Sequence, residues 1–159
     1  MEARDRKIKV GISIGDPNGV GIEIILKIFQ DKRMFDFFTP IVFASTKLLS
    51  AQRKHFNLQS ALAPYDLNKK PSNNQINVVE VLKGAFETNF GQATKEGGAV
   101  AIASLKAATK ALKAGEIDVL VTAPINKHNI QSENFDFPGH TDFLAKELEG
   151  DSLMFMISD

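Results

Sequence analysis

The sequence contains no cysteine and only three histidines, His55, His128 and His140. Without cysteine the chain can form no disulfide, no thiolate nucleophile and no cysteine-based zinc site. The histidines are far apart in the sequence and form neither an HxH nor an HxxxH pair. Carboxylates such as Asp16 and Asp142 could hold a hard cation weakly, but we expect no specific zinc or magnesium site in this chain.

The chain also lacks an excess of charge and any long apolar segment. Its 159 residues include 19 basic and 19 acidic side chains, so no overall basic field favours nucleic acid or an anionic membrane surface. No apolar run approaches the length of a membrane-spanning helix, and the start, MEARDRKIKV, lacks the apolar core of a signal peptide. We therefore expect a cytoplasmic protein without a nucleic-acid or membrane partner.

Apolar segments of strand length alternate with segments of helical periodicity. This alternation predicts an α/β fold with a largely parallel sheet covered by helices. The segment 117–121 is predicted to be a central strand covered on both faces. The stretch 83–94 is predicted to be a packed loop. The helix predicted at 96–114 should end at Gly115. The predicted strands are 7–14, 40–44, 61–63, 76–81, 117–121 and 152–157, and the predicted helices are 20–29, 46–56, 96–114 and 139–148.

A glycine-rich loop, GDPNGVG, follows the first predicted strand at Gly15 to Gly21. It has no Lys-Ser/Thr after its glycines, which excludes a Walker A loop, and the third position of a dinucleotide fingerprint is Ile24. One interpretation is a tight turn that lets the next helix, apolar nearly all round, pack inside the protein; Gly19→Val should then reduce stability if Gly19 needs a positive φ or close packing. The other is that Asp16 and Asn18 contact a ligand.

Polar residues cluster after the strand at 117–121. Pro124 stops this strand and can occupy the first turn of a helix, while Thr122, Asn126 and Lys127 follow its carboxyl end. Gly139, His140, Thr141 and Asp142 then open a second helix, which places an imidazole, a hydroxyl and free N–H groups at a positive helix end. This arrangement favours an anion site. The plainer alternatives are a solvated Lys127 and a His140 bonded to its own backbone.

Four motifs together resemble the amino-terminal half of the 4-hydroxythreonine-4-phosphate dehydrogenase family. They are ISIGDPNGVGIEI, FGQATKEGGAVAIASLKAA, VLVTAPINKHNI and FPGHTDFLAKEL, in that order. The resemblance implies NAD-dependent oxidation and decarboxylation of 4-phosphooxy-L-threonine to 3-amino-2-oxopropyl phosphate, a step in pyridoxal phosphate biosynthesis. It implies a divalent metal (zinc, magnesium or cobalt) as a second cofactor. It also implies a fold like that of isocitrate and isopropylmalate dehydrogenases, and a homodimer whose active sites take residues from both subunits.

The resemblance assigns roles to particular residues. His140 and Thr141 match the family's substrate-binding pair, and Lys127 matches a family lysine, with a weaker case for a catalytic role. Residues 1–122 would belong to the amino-terminal α/β domain and residues 123–159 would start the central substrate and dimerisation domain. The family's metal-binding histidines and its NAD contacts lie beyond the last residue of this sequence. We therefore expect no dehydrogenase turnover from this chain alone, and the predicted strand at 152–157 should pair with further chain.

Two other functions stay open on the sequence. The first is a non-catalytic small-anion binding or assembly module that keeps the substrate half-site without the chemistry. The second is a related dehydrogenase that acts on another phosphorylated hydroxy acid.

Overall fold

The computed structural model describes residues 6–131 and 135–153. Its centre is a five-stranded sheet in the order β3-β4-β2-β1-β5, and every pairing in it is parallel. This confirms the predicted α/β fold. In chain order the elements are β1 (Ile8–Ser13), α1 (Gly21–Ile28), α2 (Met34–Phe37), β2 (Phe38–Ala44), α3 (Thr46–His55), β3 (Leu62–Pro64), β4 (Ile76–Glu80), α4 (Lys95–Lys113), β5 (Val119–Thr122) and α5 (His140–Glu147).

Helices cover the two faces of the sheet because successive strand residues point to opposite sides. Val42 of β2 lies in a core cluster with residues of α1 and α3, whereas its neighbour Phe43 lies in a second cluster with residues of α4. The small side chains of Ala108 and Ala111 on α4 are fully buried, so this helix can lie close to the sheet. Thr94 caps α4 by accepting a hydrogen bond from the N–H of Gly97, and Gly115, at φ +71°, follows its last turn as predicted.

Ser104 of α4 joins β1 and β2 where the two strands separate. Its buried hydroxyl accepts a hydrogen bond from the N–H of Ile14 at 3.0 Å and donates one to the carbonyl oxygen of Phe43 at 2.5 Å. Buried backbone groups need partners, so this side chain replaces the ladder bonds that the two strands no longer make to each other. The helix is thereby fixed against the carboxyl ends of the strands.

Strand β5 is an edge strand among the described residues, and the expectation of a central strand covered on both faces was wrong. Val119 and Val121 are 45% and 48% exposed, and no described segment pairs along the outer side of β5. The same side of the molecule leaves Ile24 and Ile28 of α1 exposed, so α1 is not enclosed all round as predicted. An apolar groove of about 290 Å³ lies between α1 and β5. The prediction failed because a high content of β-branched residues does not by itself distinguish an edge strand from a central strand.

Pro124 ends β5, but no helix follows it. The chain instead turns at Asn126, whose side-chain oxygen accepts the N–H of His128 and whose carbonyl accepts the N–H of Ile130. An Asn side chain that bonds the backbone two residues on competes with helix formation, which explains the difference.

The short helix α2 was not predicted. The predicted strand at 152–157 lies outside the described residues from position 154 onward, and 152–153 are not in a strand.

Across residues 6–131 and 135–153, no helix is both long and apolar enough to span a bilayer. Helix α5 packs on α4 through a third cluster that includes Leu105, Ile130 and Phe143. A contact between two helices does not show where one domain ends and the next begins. The predicted domain boundary between residues 122 and 123 therefore stays a prediction.

Candidate anion-binding site

The structure brings Lys127 to the amino end of α5. Its Cε atom lies 3.9 Å from the position that a Cβ on Gly139 would occupy. Gly139 is the residue before the helix, so the ammonium side chain and the first N–H groups of α5 share one small region. Both a cation and a positive helix end attract an anion. Two segments that are twelve residues apart in sequence therefore form one site.

Gly139 leaves the first turn of α5 without a side-chain cap. Its backbone is extended, and a glycine has no side chain that could accept the N–H groups that it precedes. The first N–H groups of a helix have no partner within the helix, and a bound anion can accept them. Thr141 and Asp142 in this turn are both exposed. The hydroxyl of Thr141 is thus accessible to a ligand, whereas the carboxylate of Asp142 would repel a second negative charge placed next to it.

His140 is half-buried at the start of α5. Its Nε2 atom is enclosed and has no hydrogen-bond partner among the described residues. Burial lowers the pKa of His140, because desolvation disfavours the imidazolium form. A neutral imidazole with a free nitrogen can donate or accept one hydrogen bond to a ligand. Nε2 of His140 accordingly makes no hydrogen bond to the described backbone.

A floor of phenylalanine rings holds α5 in place. Phe143 of α5 contacts Phe135 and Phe137, with ring centroids 5.2 and 5.4 Å apart. Phe135 and Phe143 are fully buried against Leu105 of α4. Buried aromatic rings contribute both area and preferred geometry, so the amino end of α5 is carried on a well-packed support. Lys146 lies over the ring of Phe137 at 5.3 Å and reinforces this support from the surface.

Three N–H groups of the glycine loop are hydrogen-bonded within the protein. The N–H of Asp16 donates to the carbonyl oxygen of Pro124, that of Asn18 to the Asp16 carboxylate, and that of Gly19 to the carbonyl oxygen of Asp16. A phosphate-binding loop needs such groups free. These three donors serve the protein's own turn and the segment after β5.

Asp16 and Asn18, which were candidate ligand contacts, are only 7% and 3% exposed. The side chain of Asn18 donates to the carbonyl oxygen of Gln92 at 3.0 Å and to Thr94 Oγ1 at 3.2 Å, and it accepts the N–H of Asn89 at 2.8 Å. Its hydrogen bonds tie the glycine loop to the segment before α4. The ligand interpretation of these two residues was therefore wrong: they are internal connectors.

The described residues hold no cluster of the side chains that bind a divalent metal. Nowhere in 6–131 or 135–153 do three His, Cys, Asp or Glu side chains come together as a ligand set. Open α/β sheets bind nucleotides in a crevice between the strand ends where the strand order reverses, here between β1 and β5. In this chain a backbone hydrogen bond from Asp16 to Pro124 links the segments that follow these two strands. No chemical step is assigned to either group below.

Asn129 is the residue near the site that the sequence did not point to. Its side-chain amide donates to the Asp16 carboxylate at 3.2 Å, although the two residues are 113 positions apart. Its backbone lies so close to Gly98 of α4 that a Cβ there would overlap with the carbonyl oxygen of Asn129. No local pattern marks such a contact, but the paired glycines at 97 and 98 were a signal that another backbone approaches α4 closely.

Comparison with known proteins gives a consistent result. The family model of the pyridoxal phosphate biosynthetic protein PdxA matches residues 36–159. The chain is 39% identical over 153 residues to 4-hydroxythreonine-4-phosphate dehydrogenase of Bacteroides thetaiotaomicron, covering 96% of this chain and 42% of that protein. It is 33% identical over 140 residues to a Cutibacterium acnes protein named "Putative D-threonate 4-phosphate dehydrogenase", covering 86% of this chain and 40% of that protein.

Solved structures show the same fold. A 4-hydroxythreonine-4-phosphate dehydrogenase from Burkholderia phymatum superposes with a TM-score of 0.83 at 25% identity, covering 93% of this chain and 46% of that one. A terephthalate 1,2-cis-dihydrodiol dehydrogenase from Burkholderia xenovorans superposes with a TM-score of 0.65 at 23% identity, covering 92% and 42%, which is a likeness of fold alone. The chain thus spans less than half the length of these relatives.

Proposed function

Because the chain belongs to the family of the pyridoxal phosphate biosynthetic protein PdxA, we propose that it supplies one wall of the substrate site of an NAD-dependent dehydrogenase. The reaction is the oxidation of 4-phosphooxy-L-threonine by hydride transfer to NAD, followed by decarboxylation to 3-amino-2-oxopropyl phosphate. This is a step of pyridoxine 5′-phosphate biosynthesis. The observation that carries the proposal is the convergence of Lys127 with the uncapped amino end of α5.

The residues of this wall bind and orient the substrate. Lys127 and the N–H groups of α5 attract one of its two anionic groups, the phosphate or the carboxylate. The half-buried imidazole of His140, in its neutral form, and the exposed hydroxyl of Thr141 lie beside this anion and orient the substrate. Lys127 could also act as a proton donor or acceptor, which is the weaker part of the proposal.

The complete enzyme needs groups that the described residues do not hold. We propose that NAD and the divalent ion, zinc, magnesium or cobalt, are bound by parts of the enzyme outside this chain. We also propose a cytoplasmic homodimer whose active sites take residues from both subunits, as the family resemblance implies. The 159-residue chain alone should then bind substrate weakly and show no turnover.

A second candidate is the oxidation of D-threonate 4-phosphate. It is favoured by the Cutibacterium acnes relative, which carries that activity in its name. The two substrates share the phosphate and the carboxylate and differ at C2, where one has an ammonium group and the other a hydroxyl. An anion site made of Lys127 and the amino end of α5 accepts either substrate. Binding and turnover must therefore be compared directly for the two substrates.

The experiment uses this chain and an extended chain that spans the full length of the relatives. Calorimetric titration with 4-phosphooxy-L-threonine, D-threonate 4-phosphate and inorganic phosphate measures binding, and NADH absorbance measures turnover with each divalent ion. We expect binding in both chains and turnover only in the extended one, with the better substrate identifying the enzyme. Turnover of the extended chain that is unchanged by both His140→Ala and Lys127→Gln would show that this wall is not the substrate site. Binding without turnover in an extended chain, under all these conditions, would favour a non-catalytic anion-binding module.

A further inference from the structure

We infer that Asp16 is a positioning residue for the anion site, and that it acts through Asn129. The inference rests on the proposed function, since it concerns how Lys127 is presented to the substrate. Asp16 itself is buried beneath the loop and is kept from direct substrate contact by its own hydrogen bonds. Its effect on the site must therefore pass through the segment after β5.

The carboxylate of Asp16 accepts hydrogen bonds from two different parts of the chain. Oδ1 accepts the backbone N–H of Asn18 at 2.9 Å, and Oδ2 accepts the side-chain amide of Asn129 at 3.2 Å. The backbone N–H of Asp16 adds a third link, to the carbonyl oxygen of Pro124 at 2.9 Å. One residue thus holds the segment that carries Lys127 at both of its ends, Pro124 and Asn129.

This double attachment matters because the segment has no regular secondary structure of its own. Residues 123–131 form neither helix nor strand, and Lys127 and His128 are both exposed. Their backbone is shaped by Asn126, whose side chain and carbonyl accept the N–H groups of His128 and Ile130. Without fixed ends, a short loop samples several conformations, and a lysine on it would meet an anion less often in the right place.

The position of Asp16 also places a negative charge at the start of α4. Its Oδ1 lies 3.2 Å from where a Cβ on Gly97 would be, in the first turn of that helix. A carboxylate is stabilised at a helix amino end. Asp16 thus lies against the first turn of a 19-residue helix, which limits the space in which its carboxylate can move away from Asn129.

The test breaks the pair and then restores it with the roles reversed. Asn129→Asp removes the amide donor and sets two carboxylates against each other, whereas Asp16→Asn combined with Asn129→Asp rebuilds one amide–carboxylate hydrogen bond while Asn18 keeps its acceptor. Asn68→Asp is the matched control. It makes the same change in an exposed pair, since the Asn68 amide donates to Asp66 at 3.2 Å far from the site in sequence.

The first measurement is amide hydrogen exchange in the 159-residue chain, which needs no ligand. We expect exchange at Ile130 and His128 to be at least about tenfold faster in Asn129→Asp, to return toward wild-type rates in the double variant, and to be unchanged in Asn68→Asp. Exchange at Leu105, in the middle of α4, should stay slow in all of them. Unchanged rates at Ile130 would overturn the inference, because the hydrogen bond between Asp16 and Asn129 would then not hold the segment. Faster rates throughout α4 would also overturn it, because the hydrogen bond would then stabilise the whole fold rather than this segment.

The second measurement is the affinity for 4-phosphooxy-L-threonine by calorimetry. It should fall about tenfold in Asn129→Asp and recover in the double variant. If the wild-type chain does not bind the ligand, the proposed function fails, but the exchange rates still decide whether Asp16 holds the segment. If exchange responds as expected while affinity does not change in a chain that binds ligand, positioning of Lys127 is rejected.

Discussion

A Cβ added to Gly15 would overlap with the carbonyl oxygen of Pro124. Gly15 also has a φ of +65°, a conformation that L side chains rarely adopt. The requirement for glycine in the loop therefore falls on Gly15, and on Gly21, where a Cβ would lie 2.6 Å from the carbonyl oxygen of Ile14. Gly19 has neither a positive φ nor a close neighbour, with the carbonyl oxygen of Asp16 at 3.4 Å, so the condition under which Gly19→Val should reduce stability is not met.

We expect Gly15→Ala to destabilise the chain by about 2–4 kcal/mol, through the strained φ and the overlap with Pro124 together. Gly115→Ala is the matched control, since Gly115 has a φ of +71° and nothing within 4 Å of the added Cβ. Gly115→Ala should reduce the free energy of unfolding only through the strained φ, by about 1–2 kcal/mol. Urea unfolding of both variants gives the comparison, and equal losses would mean that the approach to Pro124 contributes nothing.

Two buried serines should respond in opposite ways. Ser104→Ala leaves the N–H of Ile14 and the carbonyl of Phe43 without their partner, and it should reduce the free energy of unfolding by about 1–3 kcal/mol. Ser13→Ala removes a buried hydroxyl that has no partner among the described residues, and it should change stability by less than about 0.5 kcal/mol or increase it. Chemical denaturation measures both, and a larger loss from Ser13→Ala would contradict the role given to Ser104.

Removal of the charge on Lys127 should weaken anion binding. Lys127→Gln is expected to raise the dissociation constant for 4-phosphooxy-L-threonine about tenfold, and the effect should shrink as salt is added because the side chain is exposed. Lys47→Gln makes the same charge change on an exposed position of α3 and should leave the constant within about twofold. If the two variants weaken binding equally, overall charge rather than the site explains the effect.

The stability of the chain should depend on pH through His140. Burial lowers its folded pKa below the value of about 6.5 expected in the unfolded chain, so between these two values the unfolded state binds more protons. The contribution is fully present above about pH 6.5 and is lost as the pH falls toward the folded pKa. The stability of the wild type minus that of His140→Gln should therefore rise with pH across this window in urea unfolding. A proton NMR titration of His140 with a midpoint at or above 6.5 would contradict it.

The sequence predicted the parts of the structure that local patterns encode. The strand at Ile8–Ser13, the long helix Lys95–Lys113 and its stop at Gly115 follow from periodicity and from the need for a positive φ. His140 and Lys127 were singled out separately, from a helix start and a strand end, and the fold places their segments together.

What the sequence did not reveal depends on partners that are distant along the chain. Ser104 bonds to Ile14 across 90 positions, and Asn129 to Asp16 across 113. A serine in a helix and an asparagine in a turn look ordinary until the sheet brings their partners to them. The interpretation of Asp16 and Asn18 as candidate ligand contacts has the same origin, because polar residues in a glycine loop give no local sign that their hydrogen bonds are already made inside the protein.

The parallel pairing of β1 with β5 implies a delay between the synthesis of β1 and that of its second neighbour. Val10 pairs with Val119, about 110 residues later in the chain. At synthesis rates of about 5–20 residues per second, β1 waits roughly 5–20 s on the ribosome before its second neighbour exists. Pairings of such high sequence separation form slowly in any case. During that interval one edge of β1 is open to a strand from another nascent chain, and its length is governed by translation speed between the two strands.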